Sequence, residues 1–304
     1  MARLTVFTPT YNRASTIRRV YDSLLNQTYK DFIWLIVDDG SSDNTKEVVD
    51  GFIKDGIIYI KYYFQNNKGK HIATNFALRH TESELFIIAD SDDGFVPDAF
   101  RILISAWDDI PDKEKSSFKG VNCRVFNHDT GKAEGPDFPF EVFDATDEEA
   151  YFKYKMRSEK WNLIKTSAFR EFMFPEIPNA HFFPETVTWQ LMSRRYKTRF
   201  LNIPLREYYN DAENSIIFGK KSIRYIENIY LWEHFINNEL NYFFYYPKRF
   251  IQSFVGINRD GLLNGYSPKQ IINMLNGPFR KMLCIIFLPF GGVLALRSKN
   301  SRGE

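Results

Sequence analysis

Apolar and polar positions alternate along the first third of the chain in a repeating pattern. Leu4–Thr8 is a short apolar run that stops at Pro9, and it reads as a buried strand. Ser15–Asn26 carries Ile17, Val20, Tyr21, Leu24 and Leu25 at helical spacing. Phe32–Val37 predicts a second strand, ending on Asp38-Asp39-Gly40, and Asn44 with Glu47 predicts a capping box for the helix that follows. Ile57–Phe64 reads as a third strand and Ile72–Arg79 as a helix. Leu85–Ala89 reads as a fourth strand ending on Asp90-Ser91-Asp92-Asp93, and Pro97-Asp98 opens a helix through about Ser105. This alternation predicts an α/β fold with a mostly parallel central sheet and helices on both faces. Ligands of such sheets bind at the carboxyl ends of the strands, and three polar clusters fall there.

Beyond Ala106 the pattern loosens. Gly120–Asn127 and Trp161–Ile164 suggest strands, Lys132–Asp147 a polar loop, Glu185–Arg195 a helix and Thr198–Ile203 a strand. From about Lys220 onward the chain reads as helical, over Ile223–Phe243, Lys248–Ile257 and Pro268–Leu275. The expected organisation is residues 1–215 as one domain, with a ligand-binding half at 1–110 and a second half at 111–215. A helical region, 216–304, follows.

Composition narrows the classes. The chain has 304 residues, is 44% hydrophobic and 26% charged, and can bury a sizeable core. A net charge of +2 gives no electrostatic footprint for nucleic acid. Two distant cysteines, Cys123 and Cys284, form neither a disulfide framework nor a zinc spacing, and a reducing compartment fits them best. The N-terminus shows no signal-peptide pattern. No GxGxxG or GxxxxGK[ST] is present, so the usual dinucleotide and P-loop fingerprints are missing.

The acidic turn Asp90-Ser91-Asp92-Asp93 has carboxylates two apart at a strand end, where they can converge on one hard divalent cation. By itself such a tetrapeptide is as easily a solvated, helix-capping turn. Val37-Asp38-Asp39-Gly40-Ser41-Ser42-Asp43 can accept from a nucleobase or a ribose, or simply form a turn. Thr8-Pro9-Thr10-Tyr11-Asn12-Arg13 can hold and stack a base, or be a capped turn. Asn67-Lys68-Gly69-Lys70-His71 allows close backbone approach, with lysines available to phosphates.

Taken together, in this order and at this spacing, Thr8–Arg13, Val37–Thr45, Asn67-Lys68-Gly69 with Ala73 and Asn75, and Asp90–Asp93 resemble family 2 glycosyltransferases of the GT-A fold. The likeness is close over about 3–110 and fades towards about 210. It implies transfer of a sugar from a nucleotide-sugar donor, by default a UDP-sugar, to a hydroxyl of a glycan or lipid-linked acceptor in surface polysaccharide synthesis. It also implies a divalent metal, Mn²⁺ or Mg²⁺. Thr8, Tyr11 and Asp39 would hold the nucleobase and ribose, and Asn67 and Gly69 would line the nucleotide pocket. Asp90 would face the ribose, and Asp92 would ligate the metal.

The family's inverting general base comes from a Glu-Asp pair opening a later helix. Here Phe183-Pro184-Glu185-Thr186 keeps only Glu185 of the two carboxylates, so Glu185 takes the base role, with His181 as a second candidate. Trp161 and Trp189 are either acceptor-pocket or core residues, with core favoured for Trp161. The Gln-x-x-Arg-Trp element of processive members is absent, which points to one sugar per encounter. Two other functions compete. A nucleotidyltransferase is disfavoured because Thr8–Arg13 is not glycine-rich. An inactive, membrane-associated nucleotide-binding protein is favoured only by Thr186.

Met282–Leu296 is almost wholly apolar, with Arg280 and Lys281 before it and Arg297, Lys299 and Arg302 after it. Interrupted by Pro289 and Gly291-Gly292, it reads as too short to span a bilayer as one helix, which needs ~20 apolar residues. It suggests either a peripheral membrane contact over 280–297 or a segment buried against the domain or in a dimer interface. The expected location is the cytoplasm, at the inner face of the cell membrane.

Overall fold

The computed structural model describes residues 2–177, 182–209 and 225–300. They form two compact units: residues 2–177 with 188–209, and residues 182–187 with 225–300.

The first unit is built on one nine-stranded sheet. Its strands are β1 (Leu4–Thr10), β2 (Phe32–Asp38), β3 (Ile60–Phe64), β4 (Leu85–Ile88), β5 (Gly94–Phe95), β6 (Phe118–Asn127), β7 (Val142–Ala145), β8 (Lys160–Lys165) and β9 (Lys197–Tyr208). The order is β3-β2-β1-β4-β8-β6-β9-β5, with β7 also on β9. The β3-β2-β1-β4 half is parallel throughout. The other half is mixed: β8 is antiparallel to β4 and β6, and β5 and β7 are antiparallel to β9, while β6 and β9 run parallel. The expected mostly parallel sheet therefore holds for the first half only. Periodicity reports burial, not strand direction, so the second half gave no sign of its reversals.

The helices of this unit are α1 (Ile17–Leu25), α2 (Thr45–Asp55), α3 (Lys70–His80), α4 (Ala99–Asp108), α5 (Asp112–Lys115) and α6 (Thr166–Glu171); α7 (Glu185–Ser193) begins in the second unit. On one sheet face Leu4, Val6, Trp34 and Ile36 pack with Val20 and Leu24 of α1, Phe52 of α2 and Phe100 and Trp107 of α4. Trp161 joins this core and stacks on Phe95 at 4.5 Å, its indole donating to the Ile88 carbonyl. On the other face Phe7 stacks on Phe86, which meets Phe169 of α6 edge-on. Arg170 of α6 donates to the Leu78 and Thr81 carbonyls at the end of α3, satisfying acceptors that a helix terminus leaves open.

Two local expectations are corrected here. The 132–147 segment is not all loop: Val142–Ala145 forms β7 on β9, with Arg199 forked onto Asp144. Asn44 sits at the α2 N-cap but makes no side-chain cap bond. Asp43, one residue earlier, accepts from the Thr45 N–H at 3.0 Å instead and makes a capping box unnecessary.

In the second unit the helices are α8 (Tyr225–Asn238), α9 (Pro247–Leu263), α10 (Pro268–Asn273) and α11 (Gly277–Asn300), with a 3₁₀ turn at Leu240–Tyr245 between α8 and α9. Its core gathers Ile236, Phe254, Ile257, Ile271, Leu275 and Cys284. The expectation that Pro289 and Gly291-Gly292 interrupt the apolar C-terminal run is overturned: α11 is one helix of 24 residues. At 1.5 Å per residue it is roughly 36 Å long. It is the one helix among the described residues long and apolar enough to cross a membrane, by length and composition only. Packing overrides the local breakers. A Cβ on Gly291 would stand 2.5 Å from Asn258 Cβ and 3.0 Å from the Val255 carbonyl, so glycine lets α11 cross α9 at close range.

Candidate active site

The four polar clusters converge beyond the carboxyl ends of β1, β2 and β4. Asn12, at φ 51°, takes the left-handed conformation that asparagine tolerates better than most residues. Its N–H donates to Ser41 Oγ at 2.8 Å, and its Oδ1 accepts from the Ser42 N–H at 2.8 Å. The next two amides continue the contact, Arg13 N–H to Thr45 Oγ1 and Ala14 N–H to Asp43 Oδ2. Burial alone would raise the Asp43 carboxyl, but the Thr45 hydroxyl and the Ala14 and Thr45 amides outweigh it and hold the group below its ordinary range.

Asp39 fixes the third loop. Its Oδ1 accepts from Gln65 Nε2 at 2.7 Å and the Lys68 N–H at 2.8 Å, and its Oδ2 accepts from the Gly69 N–H at 2.7 Å. Its own amide donates to the Thr10 carbonyl, so Asp39 joins β1, β2 and the entry to α3. Gly40 is needed beside it: φ is 88°, and a Cβ would lie 2.8 Å from the Asn67 nitrogen. Neighbouring Asp38 is fully buried, accepting from the Ser41 amide and the Tyr62 hydroxyl. Replacing Asp39 with Ala strands three donors in a largely desolvated place. A stability loss of about 1–3 kcal/mol is expected, read as a shift in urea midpoint at unchanged slope.

The acidic turn after β4 is wrapped in cations. Lys70 Nζ lies 2.7 Å from Asp90 Oδ1. Arg206, on β9, reaches Asp93 Oδ2 at 2.6 Å, Asp90 Oδ2 at 3.3 Å and Glu159 Oε1 at 2.9 Å. Arg13 Nε lies 3.8 Å from Asp92 Oδ2, and Arg19 donates to the Asp92 carbonyl at 2.6 Å. The guanidinium of Arg19 also sits over the Tyr209 ring at 3.5 Å.

The three carboxylates differ accordingly. Burial would raise Asp90, but Lys70 and Arg206 hold it below its ordinary value. Burial and the adjacent Asp90 charge raise Asp92, which Arg13 offsets only in part. Asp93 is pushed up to about 7 by burial, against the pull of Arg206 and with help from Asp90 and Asp92. Asp92 stands farther from its cation, Arg13 at 3.8 Å, than Asp90 from Lys70 at 2.7 Å or Asp93 from Arg206 at 2.6 Å, so its oxygens are the ones a hard cation would find least engaged. A divalent ion fits here as one held by one or two carboxylates together with substrate oxygens. No group of three or more metal-ligating side chains occurs among the described residues.

The other expected site residues are placed as follows. Tyr11 is 45% exposed at the tip of the first loop, open to stacking. Asn67 is exposed and Gly69 buried on the third loop. Thr8 is fully buried, and its hydroxyl accepts from Trp34 Nε1 at 2.9 Å. Glu185 is half-buried in the first turn of α7, within the second unit, and Thr186 beside it is exposed. His181 lies outside the described residues. Trp189 packs on Phe169 and Phe174. Arg206 was missed by sequence reasoning. It stands 113 residues from Asp93, and an arginine in an alternating strand carries no local mark of its partner.

Comparison with known proteins agrees with this geometry. The family model described as "Glycosyl transferase family 2" matches residues 5–171, more than half the chain. The chain belongs to glycosyltransferase family 2. A Campylobacter jejuni relative, named GalNAc(5)-diNAcBac-PP-undecaprenol beta-1,3-glucosyltransferase, is 25% identical over 229 residues, 74% of this chain and 70% of that one. An uncharacterised glycosyltransferase of Rickettsia felis is 33% identical over 102 residues, 34% of this chain and 17% of its own length, so only a fraction of that longer protein is represented here. Among solved structures, S. aureus TarS 1-349 in complex with UDP-GlcNAc superposes with a TM-score of 0.65 at 15% identity, covering 99% of this chain and 92% of that one. The mannosyltransferase PcManGT from Pyrobaculum calidifontis, in complex with GDP-Man and Mn²⁺, gives 0.51 at 16% identity over 99% and 76%. The fold of this family 2 member is therefore GT-A, with helices appended at its C-terminal end.

Proposed function

We propose that this chain transfers a sugar from a nucleotide-sugar donor, a UDP-sugar first, to a hydroxyl of a glycan or lipid-linked acceptor. In this reading it inverts the anomeric centre, adds one sugar per encounter and serves surface polysaccharide synthesis at the inner face of the cell membrane. The observation that carries the reading is the clamp made by Asp39 beside the charge-balanced turn Asp90–Asp93, at the strand ends of a GT-A sheet. The UDP-GlcNAc and GDP-Man complexes of TarS and PcManGT support a nucleotide-sugar donor, and the undecaprenol-linked acceptor in the name of the Campylobacter relative supports a lipid-linked acceptor.

The roles follow from the residues. Three of about four acceptor sites on the Asp39 carboxylate are filled, which leaves one for a base N–H. Tyr11 stacks on the base, Asn67 and Gly69 line the nucleotide pocket, and Asp90 faces the ribose. Asp92 would hold a divalent ion, Mn²⁺ or Mg²⁺, and the chemistry such an ion would supply there is charge neutralisation on the leaving diphosphate. Glu185 takes the proton from the acceptor hydroxyl. That oxygen bonds to the anomeric carbon as the bond to the nucleoside diphosphate breaks on the opposite face.

Calorimetric titration with UDP, GDP and dTDP, with and without Mn²⁺, tests the donor site. One nucleotide should bind in a metal-dependent way, and Asp92→Ala should weaken it by about tenfold or more, as loss of one charge-assisted ligand does. Absence of nucleotide binding under every metal condition would overturn the reading. Because Thr186 stands where the family carries a second carboxylate, a nucleotide-binding protein without transfer activity is the second reading. Hydrolysis or transfer of the bound donor by purified protein excludes it.

A further inference from the structure

Helix α11 has two unlike long sides. One packs inward: Cys284, Gly291 and Ala295 are buried, and Cys284 accepts through its carbonyl from Asn258 of α9 at 3.1 Å. Phe287 stacks on Phe254 of α9. The opposite side exposes Phe279, Met282, Ile286, Phe290 and Val293, each 49–60% accessible. The spacing of 3, 4, 4 and 3 residues keeps these five on one face of the helix. No polar side chain interrupts 282–296. Only 17% of the apolar window is buried, so α11 is not a core helix. A continuous large apolar face of this kind is rare on a soluble surface unless something covers it.

The charges identify the cover. Arg280 and Lys281 lie at the start of the stripe, between Phe279 and Met282, Arg297 and Lys299 follow it, and α11 carries no acidic residue. Arg280 is held in place by donating to the Ile236 carbonyl at 2.9 Å. Basic residues at both ends of an apolar helical face match an anionic bilayer, where they meet headgroups while the stripe enters the acyl boundary.

The same packing decides against crossing. Gly291, in the middle of the apolar run, lies against Asn258 and the Arg259 backbone, and α9 carries the Arg259–Asp260 ion pair with Asp260 fully buried. A bilayer-spanning α11 would carry these groups to the depth of the hydrocarbon centre, where charged side chains are costly. We infer that α11 lies flat on an anionic membrane surface, with Phe279, Met282, Ile286, Phe290 and Val293 inserted and α9 on the water side. The inference deepens the proposed use of a lipid-linked acceptor and rests on that reading only for its biological purpose.

The test is co-sedimentation of the full chain with sucrose-loaded vesicles. One set is phosphatidylcholine alone, and the other is an equal mixture with phosphatidylglycerol. Wild type should pellet with the anionic vesicles, and Ile286→Glu/Phe290→Glu, on the exposed face, should reduce the partition by about tenfold or more. Lys281→Glu/Lys299→Glu should weaken binding to the anionic vesicles alone and make what remains less sensitive to added salt than wild-type binding. To separate lying from spanning, Asn276→Cys and Ser298→Cys, at the two polar ends and off the inserted stripe, are labelled with an impermeant thiol reagent on sealed vesicles, the native Cys123 and Cys284 being buried. Labelling of both positions from outside supports the flat orientation, whereas protection of one end overturns it. Wild type left in the supernatant of both vesicle sets overturns the membrane proposal. If light scattering then shows a dimer that Ile286→Glu/Phe290→Glu makes monomeric, the stripe is the interface of a second copy. Nucleotide titration of the same variant is unaffected by either result, so loss of vesicle binding and loss of the donor site are read separately.

Discussion

Arg206→Met is expected to destabilise the protein by about 3–5 kcal/mol, the cost of removing one partner from a buried charge pair. The arginine satisfies Asp93, which is 3% exposed, and also reaches Asp90 and Glu159. Met matches its bulk but leaves the Asp93 carboxylate buried against Asp90 and Asp92 with its cation gone. The loss should appear as a fall of roughly 10 °C in Tm, at a few degrees per kcal/mol. A double-mutant cycle separates lost charge from lost packing. Asp93→Asn in the Arg206→Met background should recover part of the stability, with a coupling of about 1–3 kcal/mol. If the single substitution shifts Tm by no more than a surface change would, or the two effects simply add, Arg206 is not the residue that holds the acidic turn.

This residue also shows where the sequence stops being informative. The ends of β1, β2 and β4 were legible because apolar runs stopped on Thr8–Arg13, Val37–Asp43 and Asp90–Asp93, and in a parallel half-sheet such ends face one way. What holds those ends was not legible. Lys70 and Arg206 meet Asp90 from a helix start and a distant strand, and only tertiary folding brings them together. The surroundings of Thr8 were hidden for a related reason: a polar side chain near a strand end can face either way, and its hydrogen-bond partner, the indole of Trp34, lies 26 residues on.

The C-terminal helix was misread because Pro289 and Gly291-Gly292 are judged by local propensity, while their fate is set by α9. Proline costs one helical hydrogen bond, and glycine here removes the Cβ that would block the crossing. The β7 strand was hidden because Val142–Ala145 alternates weakly inside a polar stretch. Its pairing with β9 is anchored by Arg199 and Asp144, which lie 55 positions apart.

The largest expected effect on turnover belongs to Glu185. If it is the base, Glu185→Gln should lower kcat by about 10²–10⁴, the usual contribution of a positioned proton acceptor. Gln keeps the size of the side chain and can still hydrogen-bond an acceptor hydroxyl, but it cannot accept the proton. Nucleotide affinity and its metal dependence should stay as in wild type, because the donor contacts assigned here come from Tyr11, Asp39, Asn67, Gly69, Asp90 and Asp92. The alternative is a first-turn carboxylate favoured by the positive end of the α7 dipole, worth about 0.3–1 kcal/mol to stability. That role predicts a small fall in Tm and nearly unchanged kcat, so the two measurements on one variant point in opposite directions. Thr186→Asp is the complementary change, since it restores the second carboxylate of the family's pair. In the Glu185→Gln background it should raise kcat if an acid at the next position can reach the acceptor. If Glu185→Gln retains full turnover, the base lies elsewhere, and His181→Ala is the next substitution to make.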